Sequence, residues 1–134
     1  MSPLNKKLNM STSLTTNKNN FSKFRFQVYQ LCSQIPKGYV STYKRIAEIL
    51  HSSPRAVGQA LRNNPFSPAA VPCHRVIESS FFIGGYRGES AKKEATKSTP
   101  KQKKLAKEGI FFNRKGYLQK GLRKNRIFAS FVNI

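Results

Sequence analysis

A mainly α, small winged-helix-like domain, with a helix-turn-helix and short strands, is the fold class these 134 residues predict. Three observations predict it. Phe24, Val28, Leu31 and Ile35 recur at helical spacing. Two further short helical stretches meet at Ser52-Ser53-Pro54, a tight turn ending in a helix-start signal. The apolar runs that remain, Val76-Ile77 foremost, are too short for anything but small strands.

The elements follow in order. Met1–Asn20 is Ser, Thr, Asn and Lys with scattered leucines, and reads as a disordered basic arm. The domain proper is expected over 21–119, and a basic and apolar tail over 120–134. The first helix begins after Phe21 and stops at Pro36-Lys37-Gly38. Cys32 borders its apolar stripe and reads as packing. Val40-Ser41 reads as an extended link. A second helix is expected from about Thr42 to His51, burying Tyr43, Ile46, Ala47 and Leu50. The third runs from Pro54, with Ser53 as its cap, to about Asn63. It buries Val57, Ala60 and Leu61 and carries Arg55 and Arg62, while Gly58 would let another backbone come close. The prolines of Asn64-Pro65-Phe66-Ser67-Pro68 stiffen a loop ahead of Cys73. Glu89–Pro100 is polar and lysine-rich, a loop. A last helix is expected from Lys101 to Glu108-Gly109, then a small strand pair over Ile110–Leu118. The tail beyond Gly121 either docks or frays.

Lys and Arg number 25 against five acidic residues, a formal charge of +20. Self-repulsion of that size calls for a polyanion, with nucleic acid the first candidate and an anionic membrane surface the second. No stretch approaches the length of a membrane span, and Met1–Asn20 lacks the apolar core of a signal peptide. The expected setting is soluble, intracellular and reducing: the nucleus in a eukaryote, the cytoplasm otherwise. With two cysteines, Cys32 and Cys73, a disulfide framework is not expected, and the adjacency of Cys73 and His74 argues against a metal site.

Pro72-Cys73-His74-Arg75-Val76 carries the chemistry. A thiol reacts as its thiolate, and a neighbouring His and Arg stabilise that anion. A thiol, an imidazole and a downstream carboxylate, Glu108, are the parts of an activated nucleophile: a base beside it and an orienting group beyond the base. Taken singly, Tyr43 also reads as core, Arg55 as a solvated helix face, Asn64 as a helix C-cap and Glu108 as a surface charge.

In this order, Gly38-x-Val40-x-Thr42-Tyr43 with Ile46-Ala47, Arg55-Ala56-Val57-Gly58, Asn63-Asn64-Pro65 and the Pro-Cys-His-Arg-Val segment resemble the C-terminal domain of the O6-alkylguanine-DNA alkyltransferases, the methylated-DNA–protein-cysteine methyltransferases. The resemblance covers residues 21 to about 119. It implies direct reversal of damage in double-stranded DNA by a monomer that needs no cofactor and no metal. The alkyl group of O6-alkylguanine, with O4-alkylthymine as a second substrate, passes to Cys73 after the base is flipped out of the stack. The implied catalytic set is Cys73, His74 as base, Glu108 orienting it, Tyr43 protonating the departing base, and Asn64 tying the helix-turn-helix to the active-site loop. The implied DNA contacts are Arg55 filling the vacated stack, Tyr43 turning the nucleotide, Ala56 and Ala60 on a surface small enough for the minor groove, Arg62 and Arg75. The implied pocket is Pro68, Val76 (whose carbonyl would read the guanine amino group), Tyr86, Arg87 and Gly88. The chain departs from the family pattern by lacking the larger N-terminal domain and its structural zinc, by one residue at Ala69-Ala70, and by Arg87 where a small residue is usual.

Three rivals remain on sequence. Alkyltransferase-like proteins bind the lesion without transfer, but usually lack the cysteine present here. A plain basic winged-helix module needs neither the Cys-His-Arg triplet nor Glu108. A thiol hydrolase would share Cys-His but leaves the charge unexplained.

Overall fold

The computed structural model describes residues 22–85 and 99–132. The expected basic arm, Tyr86, Arg87, Gly88 and most of the Glu89–Pro100 loop lie outside the described residues. Four helices are present among them: α1 (Lys23–Cys32), α2 (Tyr43–Ile49), α3 (Pro54–Arg62) and α4 (Pro100–Lys107). Each starts on a hydroxyl cap. Ser22 accepts from Arg25 N, Thr42 from Arg45 N, Ser53 from Ala56 N and Thr99 from Gln102 N, at 3.0–3.1 Å. Proline follows the cap in α3 and α4. Such a cap contributes about 1 kcal/mol, which matters for helices this short.

α1 ends three residues before the predicted stop. Ile35 is buried as its spacing implies, but on a turn after the helix, because a residue preceding proline avoids the α region. α2 and α3 pack on each other as a helix-turn-helix, with α1 across them. Their shared core holds Val28, Leu31, Ile46, Val57 and Leu61, and also Cys32, which is packing as expected. Tyr29, outside the predicted stripe, is fully buried and donates to the Ala60 carbonyl at 2.7 Å.

Val40-Ser41 is more than a link. Strand β1 (Ser41–Thr42) pairs in parallel with β2 (Val76–Ile77), Ser41 opposite Val76. On its other side Val40 bridges to Ile127. The tail therefore docks: Val40 N donates to Arg126 O at 2.9 Å and Phe128 N to Val40 O at 2.7 Å. Phe128 and Phe131, edge to face at 4.8 Å, close over the helical core. A second apolar cluster, with Ile77, Ile83, Leu105, Ile110, Phe112 and Leu118, joins α4 to the C-terminal residues. The strand pair expected over Ile110–Leu118 is a hairpin closed by a Phe112–Leu118 bridge. Cys73 and Val76 belong to the first cluster and Ile77 to the second, so the Cys73–Ile77 segment runs along their seam.

Candidate active site

Cys73-His74-Arg75 forms one turn of 3-10 helix between Pro72 and β2. Cys73 is 4% exposed and His74 3%. Packing in the first cluster thus holds the thiol in a nearly dry position. Upstream, Asn64 is buried at the end of α3. Its Nδ2 donates to Val71 O at 3.2 Å and its Oδ1 accepts from Phe66 N at 2.9 Å. One side chain thus couples the helix-turn-helix to the loop that delivers Cys73. The extra residue at Ala69-Ala70 is absorbed in a compact turn, with Ala70 N and Val71 N both donating to Ser67 O. Pro68 sits in that turn, half-buried.

Glu108 caps the C-terminal end of α4 and faces His74, its Oε2 3.0 Å from Nε2. Arg75 grips the same carboxylate with two donors, Nε to Oε1 and Nη2 to Oε2, both at 2.9 Å. Its third nitrogen, Nη1, donates to Ile35 O at 2.8 Å, the carbonyl left over where α1 stops short. This corrects the expectation that Arg75 contacts DNA: the guanidinium faces inward and fixes Glu108. Burial alone would raise the Glu108 pKa, but hydrogen bonds from Arg75 and His74 outweigh it and hold the carboxyl below its usual range. Burial lowers the pKa of His74, with Glu108 opposing and Arg75 and Lys104 assisting. Burial thus favours the neutral imidazole. With Nε2–H donated to Glu108, Nδ1 carries the lone pair, the state a base requires.

A second constellation surrounds Tyr43, the first residue of α2. The ring lies against Gly58 of α3 and against Gly84. A Cβ on Gly84 would come within 3.4 Å of the Tyr43 ring and hydroxyl, and its φ of +76° already favours glycine. At Gly58 it is the ring of Tyr43, not a backbone, that approaches. Lys101, 1% exposed, points into this site. Its Nζ donates to Val76 O at 2.7 Å, Gly85 O at 3.0 Å and Tyr43 Oη at 3.3 Å. Burial pulls its pKa down to about 7 and pushes the Tyr43 phenol well above its ordinary value. Sequence reasoning read Lys101 only as the start of a helix. Lys101, Leu105 and Glu108, at i, i+4 and i+7, share one face of α4, and that spacing was the available signal. The Val76 carbonyl, expected to read a guanine amino group, is already on Lys101, leaving one lone pair for a second donor.

α3 has an exposed row of Arg55, Gln59 and Arg62, opposite Val57 and Leu61, with Ala56 half-buried. Ala60 is not on the outer surface that the resemblance implies, but on the buried face that its helical spacing predicts. It is buried against α1, where its carbonyl holds Tyr29, because helical spacing puts it on the face with Val57 and Leu61.

Fold and site together define a helix-turn-helix domain with a buried cysteine beside an imidazole–carboxylate–guanidinium network. The family model described as 6-O-methylguanine DNA methyltransferase, DNA binding domain, matches residues 23–110, and the chain belongs to this family. A methylated-DNA–protein-cysteine methyltransferase of Archaeoglobus fulgidus is 41% identical over 90 residues, 67% of this chain and 58% of that protein. Among solved structures, the O6-methylguanine-DNA methyltransferase of Pyrococcus kodakaraensis superposes with a TM-score of 0.53 at 37% identity, covering 66% of this chain and 47% of that one. Schizosaccharomyces pombe Atl1, in complex with damaged DNA containing O6-carboxymethylguanine, gives 0.60 at 29% identity, covering 81% and 97%. The chain spans about half the length of the curated relatives it matches.

Proposed function

We propose that this chain repairs DNA by direct reversal, moving the alkyl group of an O6-alkylguanine from duplex DNA onto its own Cys73. The observation that carries this reading is the His74–Glu108–Arg75 network, closed at 2.9–3.0 Å and beginning at the residue next to Cys73. α3 docks on the duplex and Arg55 enters the stack left by the flipped base. His74, as neutral base, takes the thiol proton, and the imidazolium formed is stabilised by Glu108. The sulfur attacks the alkyl carbon, an S–C bond forms and the C–O bond breaks. The electron pair passes to the guanine, which takes a proton from the Tyr43 hydroxyl. Lys101, hydrogen-bonded to that hydroxyl and poised with a pKa of about 7, restores the proton. The thioether is stable, so one molecule repairs one lesion.

The fold covers 97% of Atl1, which motivates testing a second reading, lesion binding without transfer, against which Cys73 argues. Mass spectrometry after incubation with an O6-methylguanine duplex decides between the two. One methyl on Cys73 and one turnover per molecule are expected. Unmodified protein on a bound lesion would overturn the transfer reading.

Two variants test the parts. Arg55 is exposed, so Arg55→Ala should leave stability within about 0.5 kcal/mol of wild type while slowing transfer from duplex DNA more than it weakens binding. Equal single-turnover rates would remove Arg55 from the flipping step. Glu108→Gln keeps an acceptor but loses the charge supporting imidazolium, and should slow transfer by roughly tenfold to a thousandfold. On acidification the wild type should also lose more stability than this variant, which lacks the Glu108 contribution at every pH. The folded pKa values of Glu108 and His74 are both lowered, so the stability they contribute is present above the unfolded values and lost as pH falls through the folded ones. Unfolding followed by circular dichroism against pH reads that difference, and equal losses in the two proteins would sink it.

A further inference from the structure

The family match ends at Ile110, yet the fold continues in an ordered hairpin, Phe111–Gln119. Phe112 bridges to Leu118, and both are buried in the second apolar cluster. By strand alternation Phe111, Asn113, Tyr117 and Gln119 share the opposite face, and all four are exposed, Phe111 at 48% and Tyr117 at 37%. The turn is held from within. Asn113 Oδ1 accepts from Lys115 N at 3.0 Å and Tyr117 N at 2.9 Å, and Gly116 N donates to Asn113 O at 2.9 Å. At its tip stand Arg114 and Lys115, both exposed, and no ion pair among the described residues takes up either charge. From residue 111 to 132 the chain has six basic side chains and no acidic one.

The hairpin is anchored to the rim of the active site. Ile83 N donates to Gly116 O at 2.9 Å and Leu118 N to Phe81 O at 2.8 Å. The Phe82 ring lies on Gly116, where a Cβ would approach to 2.8 Å and the φ of +91° already favours glycine. One residue past Ile83, Gly84 touches Tyr43. The four residues Phe81–Gly84 therefore connect the hairpin directly to the site that α2 and α3 build.

We propose that this hairpin is a second DNA contact: a wing whose Arg114 and Lys115 hold phosphates of the duplex beyond the reach of α3. The occupant follows from charge complementarity, two unpaired cations on a pre-organised turn against a polyanion. A rigid wing beside the site adds affinity with little ordering cost. Phe111 and Tyr117 supply apolar surface for the sugars of the same strand. The proposal rests on duplex binding by α3, but not on alkyl transfer.

The test is Arg114→Ala with Lys115→Ala, both at an exposed turn whose hydrogen bonds use Asn113 and Gly116 instead. Binding to an undamaged duplex is measured against salt. The expected result is affinity weaker by on the order of tenfold and a log–log salt slope shallower by roughly 1 to 2, the signature of two lost phosphate contacts. Shortening the duplex should erase the difference once the wing has nothing to hold. Because binding is read on undamaged DNA, failure of transfer and failure of the wing are separable. Identical affinity and slope would overturn the proposal. So would a Phe111→Ala, Tyr117→Ala double variant that loses single-stranded DNA but keeps the full duplex affinity, since that makes the hairpin a stacking platform for unpaired bases.

Discussion

Cys73→Ser should abolish alkyl transfer altogether while binding to lesion-containing duplex stays within about twofold of wild type. The hydroxyl replaces the sulfur at nearly the same volume, and its far higher pKa leaves no usable alkoxide even beside a neutral imidazole. The exposed basic row of α3 is not touched, so affinity has no reason to change. Folding has some. Cys73 sits among Cys32, Val71 and Val76, and a hydroxyl without a partner there costs about 1–3 kcal/mol. Cys73→Ala, which adds no polar atom, keeps the result interpretable. Both variants should bind and neither should acquire a methyl by mass spectrometry. Methylation of either at another residue, or repeated turnover by wild type, would discard the mechanism.

Lys101→Met should give the second-largest effect, a slower single-turnover rate by about a hundredfold or more. Methionine reproduces the stem and removes the three donors now on Val76 O, Gly85 O and Tyr43 Oη. The phenol, whose pKa burial drives upward, would then lack a neighbour to replace the proton it gives to the departing guanine. Stability moves less clearly, because loss of a buried cation offsets two carbonyls that lose their donor. The diagnostic is therefore the pH–rate profile. In wild type the rate should fall as pH rises past about 7, where Lys101 loses its proton. That alkaline limb should vanish in Lys101→Met. An unchanged profile would make Lys101 a strut for β2 alone.

The parts of this protein legible in its sequence are those governed by neighbours in the chain. Ser53-Pro54 placed the start of α3 because a cap and a preset φ act within one turn. The i, i+4, i+7 stripe of α1 placed the first core, and Pro72-Cys73-His74-Arg75-Val76 marked the segment around which the candidate site is built. Tertiary structure decided the rest. Two-residue strands have no period to read, so the Ser41–Val76 pairing emerges only when both segments lie in one core. Arg75 could not be told from a DNA-contacting arginine until Glu108, 33 residues away, and the Ile35 carbonyl, 40 residues away, were brought beside it. Lys101 was one lysine in a lysine-rich run until burial against Val76, 25 residues back, desolvated it. The tail was undecided until Val132 N met Gln34 Oε1 across 98 residues. Periodicity and caps report energies that a helix turn can realise by itself. The protonation states and ion pairs on which the chemistry depends come from desolvation and contact between distant segments, and these exist only once the chain has closed on itself.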